Sequence, residues 1–487
     1  MRRYKTGFDR GQLMLLPPCV DDYVSDNNLA LAIDAYVDSC NLEALGFANA
    51  QPAKNAAGQP AFDPSDLLKL YLYGYLHRVR SSRRLEAEAR RNLEVIWLLG
   101  GLAPGYKTIA DFRKVNGKAL KATCRDFALL CKSLDLYGGE VVAIDGSFVR
   151  GSASKASIDT RARLEQEAVR IEQHIEGYLA GLDEADREGA EPPYEDPALQ
   201  DKLARLRERQ VDVQERRKRL EDSGQGQLSR TDPDARLLSK NGQSVAGYNV
   251  QIVVDAKHKL LVCSEATQDG NDTAQLTPMA LTAKAFLDAE TLEAEADSGY
   301  YDHGQIKACE ETGIVPFVAI PDKSRPQRKA GRFARADFQY EPQADCYLCP
   351  QGHALRPQGR QNKRGEANIR YAARAADCRD CPLKGRCLPE KTPYRQLFRW
   401  EHEDVVERHR VRMQTDGRAR MRQRAALAEH PFGTPKLWLG WTHFLVRGLV
   451  KVGGELGLMG LCYNLRRSVS LFGVEAFASL CRARTAA

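Results

Sequence analysis

The clearest hydrophobic pattern in the chain is a short apolar run, Val141 to Ile144, that follows a glycine pair and stops at Asp145. Consecutive apolar residues bounded by turn-forming residues indicate a buried strand. Gly146 and Ser147 come next, so we expect the backbone to turn there and to leave the carboxylate of Asp145 at the strand end. A carboxylate that loses water needs a cationic partner or a metal ion. Taken alone, the same residues fit an ordinary Asp-Gly turn equally well.

A second predicted strand ends in the same way, because the run Leu292 to Ala296 stops at Asp297 and is followed by Ser298 and Gly299. An antiparallel hairpin and a helix come before this strand, and a helix and one more strand come after it. The strands are predicted at 141–144, 248–255, 260–266, 292–296 and 315–321. Together they indicate a mixed α/β sheet with helices on both faces and carboxylates at the tips of its first and fourth strands.

Short helices are predicted before residue 130, because polar capping residues at Asp63 and Ser81 precede apolar stretches and a third helix is expected to open at Thr108. The second of these helices carries Arg83 and Arg84 close to its N-terminus. Such an arrangement is typical of a helix-turn-helix, where arginines and helix N-termini meet DNA phosphates. The alternative is an all-helical packing domain with a solvated basic face.

Apolar residues that step alternately by four and three predict an antiparallel helical hairpin over 161–227, with a break at Glu191–Tyr194. The run Arg216–Arg219 fits contact with DNA or with a second protomer, although a charged, solvated coiled-coil face is more common. The seam positions are Leu164, Ala168, Ile171, Ile175, Tyr178 and Leu182 in the first arm, and Leu199, Leu203, Leu206, Gln210, Val213 and Leu220 in the second.

Cysteines cluster in a segment, 323–400, that is rich in arginine, glycine and proline. Two C-x-x-C pairs separated by the length of a β-ribbon predict a zinc site, because each pair presents two thiolates at tetrahedral spacing. The candidate ligands are Cys346, Cys349, Cys378, Cys381 and Cys387, and four of these five would be needed. We interpret His353 as a turn residue.

Composition narrows the class of protein. A chain of 487 residues is long enough for two to four domains, and it contains no apolar run of membrane-spanning length and no secretory signal, so we expect a cytoplasmic protein without a membrane partner. The net charge of +7 suits a polyanionic partner. The odd count of 13 cysteines favours metal ligation over a disulfide framework.

The last segment, 401–487, is predicted to be helical, with a basic stretch followed by an apolar tail. Pro431 and Pro435 are expected to prevent one continuous helix across them, since proline removes a helical hydrogen bond.

At this point the chain resembles the DDE transposases of bacterial insertion sequences, in the branch with a helical N-terminal domain and a cysteine-bearing insertion. The motifs that carry the resemblance are Ser81–Glu86, Thr108–Arg113, Ile144–Gly146, Thr231–Ala235, Ala296–Tyr300, Glu429–Gly433 and Tyr463–Arg466. The resemblance implies a ribonuclease-H-like core at 139–160 and 228–322, interrupted by the hairpin at 161–227. A DNA-binding domain at 1–130, the zinc-ribbon-like insertion at 323–400 and a helical part at 401–487 would complete the chain.

The resemblance also implies the chemistry. The catalytic triad would be Asp145, Asp297 and Glu429, and these carboxylates would bind Mg²⁺ or Mn²⁺. In related groups the glutamate belongs to a Y-R-E-K signature, in which Lys436 matches the lysine, whereas Arg424 lies five positions before the glutamate instead of four. Both cations would contact DNA phosphates, as would Arg83 and Arg84. Glu455 is the alternative to Glu429. Asp232, Asp234 and Asp272 are interpreted as turn and capping residues.

The resulting hypothesis is a DNA transposase that binds insertion-sequence ends and catalyses metal-dependent strand cleavage and strand transfer. It would act as a homo-oligomer on transposon-end and target DNA and associate with the bacterial nucleoid. Two alternatives stay open at this stage. One is a metal-dependent nuclease of the same fold that cuts without joining, and the other is a DNA-binding remnant that has lost catalysis.

Overall fold

The structure is a computed structural model that describes residues 19–51, 60–187, 197–240, 242–322, 324–363, 366–433 and 442–486. The predicted break at Glu191–Tyr194, Pro435 and Lys436 lie outside the described residues. The chain divides into two compact units. The first unit comprises Met1–Gly139, Asp145–Asn271 and Leu427–Ala487, and the second comprises Glu140–Ile144 and Asp272–Ala426. None of the helices in the described ranges is long and apolar enough to cross a bilayer.

Helices occur in both units. In chain order they are α1 (Leu29–Asp38), α2 (Pro64–Leu76), α3 (Ser82–Arg91), α4 (Leu93–Leu98), α5 (Tyr106–Val115), α6 (Gly117–Ser133), α7 (Arg161–Arg187), α8 (Pro197–Asp222), α9 (Leu276–Leu287), α10 (His303–Glu311), α11 (Arg325–Lys329), α12 (Ala375–Arg379), α13 (Lys384–Cys387), α14 (Glu403–Thr415), α15 (Gly417–Gly433), α16 (Leu449–Phe472) and α17 (Val474–Ala486).

The strands pair in both parallel and antiparallel fashion. In chain order they are β1 (Val141–Arg150), β2 (Ile158–Thr160), β3 (Gln227–Ser229), β4 (Arg236–Lys240), β5 (Gln243–Asp255), β6 (Leu261–Thr267), β7 (Leu292–Ala296), β8 (Ile314–Val318), β9 (Gln339–Glu341), β10 (Cys346–Leu348), β11 (Ala354–Lys363), β12 (Glu366–Ala372) and β13 (Gln396–Trp400).

The N-terminal helices of the first unit pack around α16. Asn28 and Asp63 cap α1 and α2 through their side chains, which fixes where those helices begin. The closest approach of α6 to α16 requires glycine, because a Cβ atom on Gly454 would lie 2.4 Å from the carbonyl oxygen of Gly117. The same two helices also pack against β6. The N-terminal helices and α16 therefore form a helical assembly that packs against β6 of the same unit.

The helical hairpin of the first unit consists of α7 and α8. Its buried seam contains Leu164, Ile171, Val213 and Leu220, which are among the positions that the heptad pattern predicts. Arg216 is buried beneath the exposed part of the basic run and pairs with Asp159, Glu167 and Asp212 at 3.0, 3.1 and 2.9 Å. The first residue of that run is thus a structural ion-pair residue.

In the second unit, the first half of β1 and strands β7 and β8 are parallel, and Ile144 pairs with Ala296. Helices α9, α10 and α14 pack against β7 and β8. In the first unit, β5 pairs antiparallel with β4 and with β6, and the β5–β6 hairpin agrees with the sequence-based expectation.

The predicted turn directly after Asp145 is wrong. Strand β1 continues to Arg150, because β5 lies beside its second half and keeps Gly146 and Ser147 extended. The chain leaves the strand only at Gly151, whose N–H donates to the carbonyl of Ala246. Asp145 is therefore a mid-strand residue.

The cysteine-bearing segment of the second unit forms an antiparallel sheet in the order β13-β12-β11-β10-β9. It has a small core of its own, which contains Phe338, Tyr347, Leu355, Tyr371 and Leu397. All 13 cysteines of the chain carry free thiols.

Helix α15 runs from Gly417 to Gly433 and contains Pro431, whereas Pro435 lies outside the described residues, so the expectation that no single helix crosses both prolines stays a prediction. Pro431 lies near the C-terminus of the helix, where its ring disturbs only the final turns.

Candidate active site

The two aspartates follow paired positions of neighbouring parallel strands. Ile144 is in register with Ala296, and each of these residues is followed directly by an aspartate. Asp145 and Asp297 are both partly exposed. The Oδ1 atom of Asp145 accepts a hydrogen bond from the N–H of Gly146 at 2.9 Å, and that of Asp297 accepts one from the N–H of Gly299 at 2.8 Å. Local backbone donors thus orient both carboxylates, while each keeps access to solvent.

An acidic face of β7 meets arginines of α15. Residues at alternate strand positions point to one side, and residues four apart on a helix share a face, so Glu293 and Glu295 can meet Arg420 while Asp297 lies toward Arg424. Arg420 Nη2 lies 2.6 Å from Glu293 Oε2, its Nη1 atom lies 3.7 Å from Glu295 Oε1, and Arg424 Nη2 lies 3.8 Å from Asp297 Oδ2. Burial raises the pKa of Glu295 to about 7, although Arg420 acts in the opposite direction.

A third carboxylate borders Asp297. A Cβ atom on Gly299 would lie 2.9 Å from Asp297 Oδ1 and 3.5 Å from Asp272 Oδ2, so both carboxylates line the same glycine. Asp272 is buried, and its carbonyl accepts the N–H of Gln275 just before α9. In the sequence, Asp272 is one of three acidic residues interpreted as turn and capping residues, and here its side chain borders Asp297 across Gly299. The adjacent polar residues at the helix start gave no sign of that proximity.

Glu429 is exposed on α15, five residues beyond Arg424. Five helical residues advance about 7.5 Å along the axis. The alternative glutamate, Glu455, has a different environment, because it is fully buried in α16.

Every oxygen of Glu455 is engaged by groups of the first unit. Its Oε1 atom accepts from Tyr75 at 2.5 Å and from Arg80 at 2.9 Å, and its Oε2 atom accepts from the N–H of Leu445 at 2.8 Å. Arg113 lies 3.6 Å away. Burial opposes ionisation, but Arg113 and Arg80 outweigh it and hold the pKa of Glu455 below its ordinary value. This carboxylate has no open position for a metal ion.

Two of the other acidic residues fix the start of α16. Asp232 is buried and accepts hydrogen bonds from the hydroxyl of Tyr248 and, at 3.0 Å, from the N–H of Gly448. Asp234 accepts from the N–H of Leu449 at 2.7 Å. These aspartates therefore bind the first N–H groups of a helix more than 200 residues away along the chain, whereas the sequence indicated only a local turn or helix start.

Four of the five candidate zinc ligands line one small cavity in the second unit. These are Cys349, Cys378, Cys381 and Cys387, and His353 lies beside them. Cys346 is buried in β10 and does not line the cavity. Burial raises the pKa of the Cys387 thiol; Arg395 opposes this, and the neighbouring thiols add to it.

The next question is whether side chains that could bind a metal ion lie together in the described residues. Across the described ranges, no three Asp, Glu, His or Cys side chains lie close enough together to hold a metal ion.

Arg83 and Arg84 are exposed on α3. The guanidinium of Arg83 lies over the ring of Tyr106, 5.3 Å from its centroid, at the beginning of α5. Exposed cations on adjoining helices suit contact with a polyanion.

Two ranges of the chain match family models of transposase domains. Residues 348–469 match the family model described as "Transposase DDE domain", and residues 18–115 match the one described as "Transposase domain (DUF772)". The first range contains Glu429 and the second contains Arg83 and Arg84, whereas Asp145 and Asp297 lie outside both. None of the curated proteins matches the chain.

Among solved structures, the chain is similar to the piggyBac transposase in a synaptic complex with hairpin DNA. The identity is 9% and the TM-score is 0.32, with 94% of this chain and 79% of that chain covered.

Proposed function

Since the chain is a DNA transposase of the DDE type, we propose that Asp145, Asp297 and Glu429 are the three carboxylates of its active site. The observation that carries this proposal is the register of β1 and β7, in which Ile144 pairs with Ala296 and an aspartate follows each. Because the two strands are parallel and their pairing ends at Ile144 and Ala296, the aspartates that follow these residues leave the pairing at the same level. Glu429 is an exposed carboxylate inside the matched DDE range, whereas Glu455 is sequestered.

The fold proposal follows from the same strands. A ribonuclease-H-like core would combine the parallel strands β1, β7 and β8 with the antiparallel hairpin β5–β6. The α7–α8 hairpin and the cysteine-bearing sheet would then be insertions that interrupt this core without entering its strand pairing.

Transposases of the DDE type use divalent metal ions, and the donors in this chain fit such ions. Asp145, Asp297 and Glu429 supply hard oxygen ligands, which Mg²⁺ and Mn²⁺ prefer. Arg424 Nη2 lies 3.8 Å from Asp297 Oδ2, which is too long for a hydrogen bond. When bound, the ions would polarise the phosphate and activate the attacking oxygen in cleavage and in joining.

The basic residues would hold the DNA. Arg424, beside Asp297, would contact a phosphate next to the cut, and Lys436 would do the same from beyond the described residues. Arg83 and Arg84 would bind the DNA backbone in the N-terminal domain, which contributes affinity more than sequence reading. Because a transposon has two ends, the active complex would contain at least two protomers.

We also propose a zinc site in the cysteine-bearing sheet. The cavity favours Cys349, Cys378, Cys381 and Cys387 as the ligand set, since these thiols line one space and Cys346 does not. Four thiolates match the tetrahedral preference of zinc. The ion would join Cys349 to the second C-x-x-C pair and to Cys387, and it would stabilise a sheet whose apolar core is small.

The direct test is cleavage and joining of labelled transposon-end DNA with Mg²⁺ or with a chelator present. Asp145→Asn, Asp297→Asn and Glu429→Gln should each bind the DNA and lose both reactions. Cleavage retained by any of these variants would remove that residue from the active site. Paired ends that are cut but never joined would instead identify a nuclease of the same fold.

A further inference from the structure

An open groove of about 690 Å³ lies in the second unit between the end of β8 and helices α14 and α15. Its floor is apolar and includes Ile320, Met413 and Met421. No aromatic side chain is among the lining residues that the structure describes. The floor can therefore pack against aliphatic or sugar groups but offers no ring on which a base could stack.

Three arginines form the rim of the groove, Arg410 on α14 and Arg418 and Arg422 on α15. All three are exposed. Arg418 and Arg422 are four residues apart, so their side chains share one face of the helix. Like charges placed together on one rim repel each other unless a polyanion lies between them.

The rim arginines differ from their neighbours on the same two helices. Arg408 and Arg412 both pair with Glu310, at 2.9 and 2.6 Å, and Arg420 pairs with Glu293 at 2.6 Å. By contrast, no ion pair joins a rim arginine to an acidic side chain within the described part of the chain. One face of α14 and α15 is thus neutralised internally, while the face along the groove keeps its charge.

The groove begins beside the strand that carries Asp297. Ala319, which lines it, donates its N–H to the carbonyl of Ala296 at 3.2 Å, and Ala296 immediately precedes Asp297. A DNA strand with a phosphate at Asp297 could therefore extend into the groove, where the three rim arginines are exposed.

We propose that this groove binds the phosphodiester backbone of the transposon-end strand next to its scissile phosphate. Arg410, Arg418 and Arg422 contact successive phosphates, and the apolar floor packs against the intervening sugars. Recognition is independent of sequence, because guanidinium groups on phosphates carry no base information. The inference rests on the proposed function in one respect only, namely that Asp297 lies at the cut.

The test compares two triple variants. The first replaces Arg410, Arg418 and Arg422 with alanine. The matched control replaces three exposed cations of α11, Arg325, Arg328 and Lys329, and so removes the same charge from the same unit outside the groove. Binding to end DNA and to an unrelated duplex is measured by fluorescence anisotropy over a series of salt concentrations, with a chelator present so that no cleavage occurs.

The groove variant should bind both duplexes about tenfold more weakly or worse, and its slope of log affinity against log salt should fall by about 2–3, since each lost phosphate contact contributes about 0.9. The control variant should keep most of the affinity and slope. An unchanged slope in the groove variant, or an equal fall in both variants, would overturn the proposal. A loss of affinity for end DNA but not for the unrelated duplex would also overturn it. So would a lower oligomeric mass by light scattering with DNA affinity intact, because that result would identify the groove as a contact between copies of the chain.

Because binding is read without catalysis, failure of the groove and failure of the active-site assignment are separable. Asp145→Asn that still cleaves would reject the triad and leave the binding result standing. Normal thermal melting of the groove variant excludes misfolding, which is expected since its three side chains are exposed and have no acidic partner within the described residues.

Discussion

Glu429 and Glu455 are the two glutamates that could complete the triad, and their opposite environments lead to opposite expectations. Glu455→Gln removes the counter-charge from a buried cluster while preserving the shape of the side chain. A glutamine amide can still accept the N–H of Leu445, but it cannot neutralise Arg80 at 2.9 Å or Arg113 at 3.6 Å. Two buried guanidinium groups would then lack a compensating anion.

Breaking a buried ion pair by removing one partner lowers the free energy of unfolding by about 3–5 kcal/mol. We expect Glu455→Gln to fall in this range, because the carboxylate is fully buried and the variant keeps both arginines that it neutralises. Glu429 is exposed, so Glu429→Gln should change the free energy of unfolding by no more than about 0.5 kcal/mol.

Urea unfolding followed by circular dichroism measures the stability of both variants, and cleavage of transposon-end DNA measures their activity. Glu429→Gln should be stable and inactive. The folded fraction of Glu455→Gln should retain metal-dependent cleavage at low temperature. A loss of less than about 1 kcal/mol for Glu455→Gln would refute the account of a sealed charge cluster, since it would show that water reaches the arginines. A stable, inactive Glu455→Gln would transfer the catalytic role to Glu455.

Three further expectations concern the rest of the chain. Burial lowers the pKa of His409 from 6.5 to about 4, so at pH 5 the unfolded chain binds a proton that the folded chain does not. The free energy of unfolding should therefore fall by about 2 kcal/mol between pH 7 and pH 5. In urea titrations, His409→Gln should reduce this change with pH, whereas substitution of the exposed His402 with glutamine should not. Cys381→Ser should abolish zinc in the purified protein by metal analysis and Cys346→Ser should keep it, and the reverse pattern would reject the proposed ligand set. Arg216→Met should lower the midpoint temperature of thermal unfolding without weakening DNA binding measured by fluorescence anisotropy. Weakened binding would show that Arg216 contacts DNA.

The sequence indicated the beginning of β1 and both ends of β7 well because their signals are local. An apolar run that stops at Asp145 or Asp297 is visible in a few letters. The continuation of β1 to Arg150 was not visible, because it depends on pairing with β5, about one hundred residues away along the chain. Likewise, the Asp-Gly pair reads as a turn unless a neighbouring strand holds it extended.

Side-chain partners were the least predictable feature, since they depend on tertiary packing. Nothing near Glu455 in the sequence shows that Tyr75 and Arg80, more than 350 residues away, enclose it. The cysteine spacing identified two pairs, but only the fold separated Cys346, buried in β10, from the four thiols of the cavity. In the same way, Arg216 was one of several equivalent basic residues until the hairpin buried it.

Helix α15 connects these observations to the chemistry. Its arginines neutralise β7 at Glu293 and approach Asp297, and its opposite side leaves Arg418 and Arg422 exposed along the groove. The ion pair of Arg420 with Glu293 holds α15 against β7, the strand that precedes Asp297. Glu429 lies on the same helix, five residues beyond Arg424. A single helix would in this way hold the DNA and present an acidic residue to it.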